Sequence, residues 1–137
     1  MNRDDSLRLL LNEFKEYGSS IIAHTSFYTE FTDIIAKSGM EKPIINEFIS
    51  KLGYLAEHKK QSSMLYPQKF EWLRHVDLYS MHIDKRRFNI RILYYFTENN
   101  NIIVLLCAFD EKSDKSSTDY TKPIKSAQQR LQEYKVK

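Results

Sequence analysis

Between residues 78 and 109 the chain alternates apolar runs with short polar interruptions. The runs LYSMHID, FNIRILYYF and NIIVLLCAF are rich in Ile, Tyr and Phe, which are enriched in β-strands. The interruptions at 84–87 and 97–101 carry the Asp, Asn, Thr and charged residues that are typical of turns. The pattern predicts an antiparallel, three-stranded meander.

Side chains within these runs divide between two faces, because successive residues of a strand point to opposite sides. Ser80 and His82 fall on the face opposite to Met81 in the first run, and Arg91 falls on the face opposite to Ile92 in the second. The third run is apolar on both faces, which predicts a central strand covered by helices on one side.

Apolar positions recur with helical spacing in three segments before the sheet. The stripe from Leu7 to Phe14 follows candidate N-cap side chains and stops before Gly18. The second helix is predicted to begin at Thr25, a candidate cap, and to end at Gly39. The third has Pro43 in its first turn, where the missing N–H costs nothing.

The remaining segments are less regular. Residues 21–23 form either a brief edge strand or a helical turn, and residues 58–68 have no periodicity, which predicts an exposed connection. Phe70 and Trp72 are expected to pack under the sheet, and Thr121 and Pro123 open a last helix. The predicted fold is therefore α+β, with N-terminal helices on a small antiparallel sheet, a possible fourth edge strand and a C-terminal helix.

Composition sets limits on the class of protein. With 137 residues the chain fits one domain, residues 1–137, and the longest apolar run is too short to span a bilayer. We therefore expect a cytoplasmic protein. The only cysteine, Cys107, lies in the most apolar run and is expected to be a buried, inert thiol.

Charge is unevenly distributed along the chain. Residues 1–57 contain 6 Lys+Arg and 9 Asp+Glu, whereas residues 58–137 contain 15 and 9, so the balances are −3 and +6. A basic half that contains the sheet is expected if this half faces a polyanion.

Several kinds of site lack support in the sequence. The four histidines fall at no metal-ligand spacing, there is no CxxC or HExxH motif, and three glycines form no phosphate-binding loop. We therefore predict no metal and no cofactor. The remaining candidates are cations and one histidine on and around the sheet. They are His82, Arg86, Arg87, Arg91, Lys112 and Lys115.

At these positions the chain resembles the RelE/HigB superfamily of toxins from bacterial type II toxin-antitoxin systems, especially its phage-derived HigB-like branch. Members of that branch show L-Y-E-L-R-I, a short turn, Y-R-I-L-Y-F, an apolar strand ending in Phe, and K-K-T-x-K-T. Residues 78–83, 89–96, 109 and 111–116 stand at these motifs. The resemblance covers roughly residues 70–134, and the helical hairpin before the sheet agrees with it. Residues 1–20 look like an addition, because family members more often begin with a strand.

The resemblance implies a metal-independent endoribonuclease that enters the ribosomal A site and cuts mRNA. Such a site must accept the proton of a ribose 2′-OH, stabilise charge on the phosphorus and protonate the leaving 5′ oxygen. By position, Arg91 matches the family's strand arginine and would hold the phosphate, and Lys112 stands at the basic general acid. His82 would serve as the general base, because its pKa lies near neutrality.

The resemblance also implies RNA contacts and partners. Predicted RNA-binding residues are Arg86, Arg87, Lys115 and Lys69, with Tyr120 near a tyrosine that stacks on a base in some relatives. The implied partners are mRNA, the ribosome and a cognate antitoxin with a helix-turn-helix fold; a homodimer is a further prediction. The apolar stripe of the first helix either packs on its own domain or offers a contact face.

Departures from the family pattern keep alternatives open. Ser80 stands where relatives carry an acid or a lysine, and His82 stands where they carry a permanently charged cation. Asp110 and Glu111 stand where relatives tend to be basic, and carboxylates beside a phosphate would repel it. One alternative is a ParE-like inhibitor of a protein target such as gyrase, and another is an inactive, phage-derived binding module. Structural readings also remain: Arg91 pairing with Asp84 or Glu71, a half-buried structural His82, and solvated loop lysines.

Overall fold

The computed structural model describes residues 3–97, 102–111 and 119–136. These residues contain five α-helices and five β-strands. The helices are α1 (Arg3–Tyr17), α2 (Thr25–Ser38), α3 (Glu41–His58), α4 (Ser62–Leu65) and α5 (Thr121–Val136). The strands are β1 (Ile21–Ala23), β2 (Phe70–Leu73), β3 (Leu78–Lys85), β4 (Phe88–Phe96) and β5 (Ile103–Asp110). The α+β class is confirmed.

All five strands form one mixed sheet in the order β1-β5-β4-β3-β2. The antiparallel meander β3-β4-β5 is confirmed, and β2 extends it with antiparallel pairing to β3. Residues 21–23 form a strand rather than a helical turn, and this strand pairs parallel to β5. The expected fourth strand is thus joined by a fifth, and β4 rather than β5 is central.

Helices cover both faces of the sheet, so the expectation of helices on one side is wrong. Leu10, Phe27 and Phe48 from α1, α2 and α3 form one core with Met81 and Ile92. A second, smaller core lies on the opposite face. It contains Leu93, Leu106, Cys107 and Ala127. A strand that is apolar on both faces, such as β5, needs a cover on each side, and α5 provides the second one.

Helix boundaries follow the predicted signals with one correction. Gly18 and Gly39 adopt positive φ values of +58° and +70° just after α1 and α2, as expected for glycine at a helix end. The cap of α2 is His24 rather than Thr25, because His24 Nδ1 accepts a hydrogen bond from the Ser26 N–H at 3.1 Å. Leu10 is fully buried, so the apolar stripe of α1 packs on its own domain.

The connection at 58–68 is more ordered than its sequence predicts. It contains a 3-10 helix, Lys59–Gln61, followed directly by α4. Met64 in α4 is 82% exposed, whereas Tyr54 and Tyr66 pack around the buried Phe70.

Among the helices in the described parts of the chain, none is both long and apolar enough to cross a membrane.

The sheet edge beside β1 is closed by two side chains. Because β1 pairs only with Ile103–Leu105 of β5, the rest of β5 has no neighbouring strand on this side among the residues that the structure describes. The Ala108 N–H donates to Glu30 Oε1 at 3.1 Å, and Arg130 Nη1 donates to the Leu106 carbonyl at 2.8 Å. Arg130 and Glu30 join each other through two hydrogen bonds of 2.7 Å. Side chains from α2 and α5 thus take the place of a strand.

Candidate functional site

A polar cluster lies on the α5 face of the sheet, beside the beginning of α5. Its members are Glu71, Ser80, His82, Arg91 and Tyr120. Strand register determines its layout: His82 of β3 is directly opposite Arg91 of β4, and Glu71 of β2 is opposite Ser80 of β3. Residues at such positions share one face of the sheet. The structure therefore brings two of the predicted catalytic residues, His82 and Arg91, together.

His82 has a defined orientation. Its side chain is 15% exposed, and Nε2 lies 3.2 Å from Glu71 Oε1. An ionised carboxylate only accepts hydrogen bonds, so Nε2 carries the proton and, in the neutral ring, Nδ1 keeps its lone pair. Nδ1 has no hydrogen-bond partner among the residues that the structure describes. The imidazole is thus set up to accept a proton at Nδ1.

The environment of His82 favours the neutral ring. Burial lowers its pKa from the ordinary value of 6.5, and the positive charge of Arg91 lowers it further. The hydrogen bond and charge of Glu71, with the charge of Asp84, act in the opposite direction without cancelling the decrease. At a pH above the ordinary pKa of histidine, the His82 ring is therefore neutral and can accept a proton.

Arg91 does not use all of its hydrogen-bond donors within the described part of the chain. The residue is 9% exposed, its Nη1 donates to Asn89 Oδ1, and its Nε is buried with no hydrogen-bond partner among the described residues. Neither carboxylate considered as an ion-pair partner forms an ion pair with Arg91; Asp84 pairs with Lys69, and Glu71 contacts His82. A guanidinium has five donors, so Arg91 retains donors for two oxygens of an anion such as a phosphate.

Tyr120 reaches the cluster from the start of α5. Its hydroxyl lies 2.9 Å from Glu71 Oε1 and 3.0 Å from Ser80 Oγ. A hydroxyl has one proton, so Tyr120 donates to the carboxylate and accepts from Ser80. Burial raises the pKa of Tyr120 to about 12, which keeps the phenol protonated. Its ring packs edge-on against Phe109, with the centroids 5.8 Å apart, so the expected exposed stacking surface is partly covered.

Glu71 is the residue that sequence reasoning missed. It was considered only as a counter-ion for Arg91, yet one of its oxygens contacts both His82 and Tyr120. The available signal was its place as the single charged residue in the apolar run FEWL. Finding it required knowing that this run is a strand paired with β3.

The other predicted RNA-binding residues lie apart from the cluster or outside the description. Arg86 and Arg87 are exposed in the turn between β3 and β4, and neither has a partner among the described residues. Lys69 is held by Asp84, so its charge is neutralised locally. Lys112 and Lys115 lie outside the described residues, and their roles stay predictions.

Carboxylates border a depression next to the cluster, between β5 and the start of α5. It has a volume of about 510 Å³. Its lining residues include Phe109, Asp110, Glu111, Asp119, Lys122 and Pro123. Burial raises the pKa of Asp110, and one oxygen of Glu111 is buried with no hydrogen-bond partner within the described part of the chain. Two of the departures noted in the sequence, Asp110 and Glu111, therefore lie at the border of the candidate site, whereas Ser80 lies within it.

Within the parts of the chain that the structure describes, no group of three or more His, Cys, Asp or Glu side chains has an arrangement suited to a metal ion. Comparison of the chain with protein-family models and with curated proteins found no match.

Proposed function

We propose that the chain is a RelE/HigB-like toxin that cleaves ribosome-bound mRNA in the cytoplasm without a metal ion. The observation that carries the proposal is the direct opposition of His82 and Arg91 across β3 and β4. It puts a neutral base beside a partly unsatisfied cation, which is the pair that 2′-OH attack on a phosphodiester requires. The motif resemblance over residues 70–134 and the helical hairpin before the meander support the family.

His82 starts the reaction in this proposal. Its Nδ1 accepts the proton of a ribose 2′-OH as that oxygen attacks the adjacent phosphorus. The resulting imidazolium is stabilised by Glu71, which holds Nε2 and so prevents the ring from turning. Glu71 is thus a positioning residue that acts through His82.

Arg91 stabilises the charge that develops on the phosphate oxygens. Donors that are already oriented before the reaction cost little reorganisation and act strongly where water is excluded. The burial of Arg91 and its place beside His82 meet both conditions.

Tyr120 is the described residue that can protonate the leaving 5′ oxygen. Its hydroxyl shares the Glu71 oxygen with His82, so the two groups are adjacent. After donation, the Ser80 hydroxyl can stabilise the phenolate through the bond that it already makes. Lys112 remains the sequence-based candidate for the same role. The products would carry a 2′,3′-cyclic phosphate and a 5′-OH.

The test measures cleavage of an mRNA by the purified protein in two reactions, a reconstituted translation reaction and the same mixture without ribosomes. The ends of the RNA products are then analysed. We expect cleavage with ribosomes, cyclic-phosphate ends, and a loss of rate of about 10²-fold or more in H82Q and R91A. R91K separates loss of charge from loss of fold, and K37A, at an exposed position of α2, is the matched control. Intact RNA in all reactions, or cleavage by H82Q and R91A at the rate of the native chain, would overturn the proposal.

A second candidate function is supported by the acidic border of the site. Asp110, Glu111 and Asp119 line the adjacent depression, which opposes RNA and favours a basic protein segment. A ParE-like inhibitor of gyrase or an inactive binding module would fit this border. Inhibition of gyrase supercoiling without RNA cleavage would identify the first of these.

A further inference from the structure

A groove between α1 and β1 lies apart from the candidate site. It has a volume of about 700 Å³. From α1 it is lined by Arg8, Leu11, Asn12 and Lys15, whose spacing puts them on one side of the helix. The other wall is Ile21–Ala23, and Phe14 and Tyr28 also line the groove.

The backbone of β1 has unused hydrogen-bonding groups on the groove side. The Ile103 N–H donates to the Ser20 carbonyl, and the His24 N–H donates to the Leu105 carbonyl, so residues 20, 22 and 24 face β5. By alternation, the N–H and C=O groups of Ile21 and Ala23 face away from the sheet. No described residue hydrogen-bonds with these four groups.

This open edge contrasts with the closed edge immediately beyond it. Where β5 extends past β1, Glu30 and Arg130 satisfy its backbone groups. Proteins usually block or cover exposed edges, since a bare edge invites pairing with another chain. An edge left open beside an apolar groove is therefore a suitable place for an added strand.

Charge identifies the kind of segment that fits. Among the described residues that line the groove, Arg8 and Lys15 are the only charged ones, and neither makes an ion pair with a described residue. They are seven positions apart on α1, roughly 10 Å along the helix axis. In an extended strand, residues i and i+4 are about 13 Å apart and point to the same side. Leu11 lies between the two cations and is 42% exposed.

We propose that this groove binds an extended, acidic segment of a partner protein, which pairs with β1 as a sixth strand. An apolar side chain of the segment packs on Leu11, and a carboxylate two positions away on each side meets Arg8 or Lys15. Main-chain hydrogen bonds to Ile21 and Ala23 hold the segment, and the side-chain contacts select it. The α1 side of this groove lies in residues 1–20, and binding there does not depend on the cleavage reaction.

The test uses a fluorescein-labelled peptide, Ser-Glu-Thr-Val-Thr-Glu-Ser, and a second peptide with lysine in place of both glutamates. Binding to the full chain is measured by fluorescence anisotropy. We expect the acidic peptide to bind with a Kd on the order of 100 µM, and the basic peptide to bind at least about tenfold more weakly.

Variants locate the contact. A23P removes an outward N–H without breaking a bond to β5, and K15E reverses one of the two charges. Each is expected to weaken binding of the acidic peptide about tenfold or more, whereas K37E, on α2, leaves binding unchanged. Circular dichroism verifies that all variants fold, and K15E keeps the test informative if A23P does not. The proposal is overturned if the acidic peptide does not bind at 1 mM, if both peptides bind equally, or if folded A23P and K15E bind like the native chain.

Discussion

Arg130 of α5 and Glu30 of α2 meet at the edge of β5, although their helices cover opposite faces of the sheet. Two parallel hydrogen bonds join them, and each also binds a backbone group of β5. The guanidinium fork matches a carboxylate in this geometry, which a lysine could not reproduce. The pair therefore connects the two helical layers and completes the sheet.

Removing the arginine should lower stability more than a surface charge change does. R130A removes both hydrogen bonds to the Glu30 carboxylate, which keeps only the Ala108 N–H among the described donors, and removes the side-chain donor to the Leu106 carbonyl, so we expect a loss of about 2 kcal/mol in the free energy of unfolding. Urea denaturation measures it, and K125A, at an exposed position of the same helix, is the matched control. R130K should recover only part of the loss. Equal midpoints for R130A and K125A would contradict the role assigned to the pair.

The meander and the helices were predictable because their signals are local. Alternation placed Ser80 and His82 on one face of their strand and Arg91 on the face of its strand opposite to Ile92, and the observed strand pairing puts the three residues on one side of the sheet. The parallel pairing of β1 with β5 joins segments about 80 residues apart, and a three-residue strand carries no periodicity of its own. The second helical layer was missed because apolarity on both faces of β5 was attributed to sheet position alone.

The charge of Arg91 should be measurable at His82. Because Arg91 lowers the pKa of His82, R91Q is expected to raise that pKa towards the ordinary value, although burial continues to depress it. An NMR titration of the imidazole ring protons measures the shift. R87Q makes the same charge change in the exposed turn and should leave the titration nearly unchanged. A His82 pKa that stays constant or falls in R91Q would show that the two side chains do not interact.

The lowered pKa of His82 should also make the stability of the fold depend on pH. Since the folded pKa of His82 lies below the unfolded value near 6.5, the unfolded chain binds more protons within that interval. Stability is therefore lost as the pH falls through about 6.5, and this loss ends below the folded pKa. Urea midpoints from pH about 7 to about 5 should fall less steeply in H82Q than in the native chain. Identical slopes would mean that the folded pKa is not depressed.

The candidate site was only partly predictable for a related reason. The types and faces of His82 and Arg91 follow from the sequence, but their partners depend on strand pairing and on the approach of α5. Glu71 becomes important only because β2 pairs in the register that puts it opposite Ser80. Tyr120 was expected to stack on a base, whereas its hydroxyl joins Ser80 and Glu71 from across the sheet.

The hydroxyl of Tyr120 should matter for cleavage and little for folding. Y120F removes the bond to Glu71 and the acceptor for Ser80 while keeping the ring that packs on Phe109. If Tyr120 protonates the leaving oxygen, the cleavage rate should fall about 10²-fold or more, with the binding of RNA unchanged. Y95F is the matched control, because no described residue hydrogen-bonds with the Tyr95 hydroxyl. RNA with an activated 5′ leaving group distinguishes an acid from a structural role, since such a substrate needs no proton donor and should restore the rate of Y120F. If Y120F is equally slow on both substrates, Tyr120 only positions Glu71, and the leaving-group role passes to Lys112.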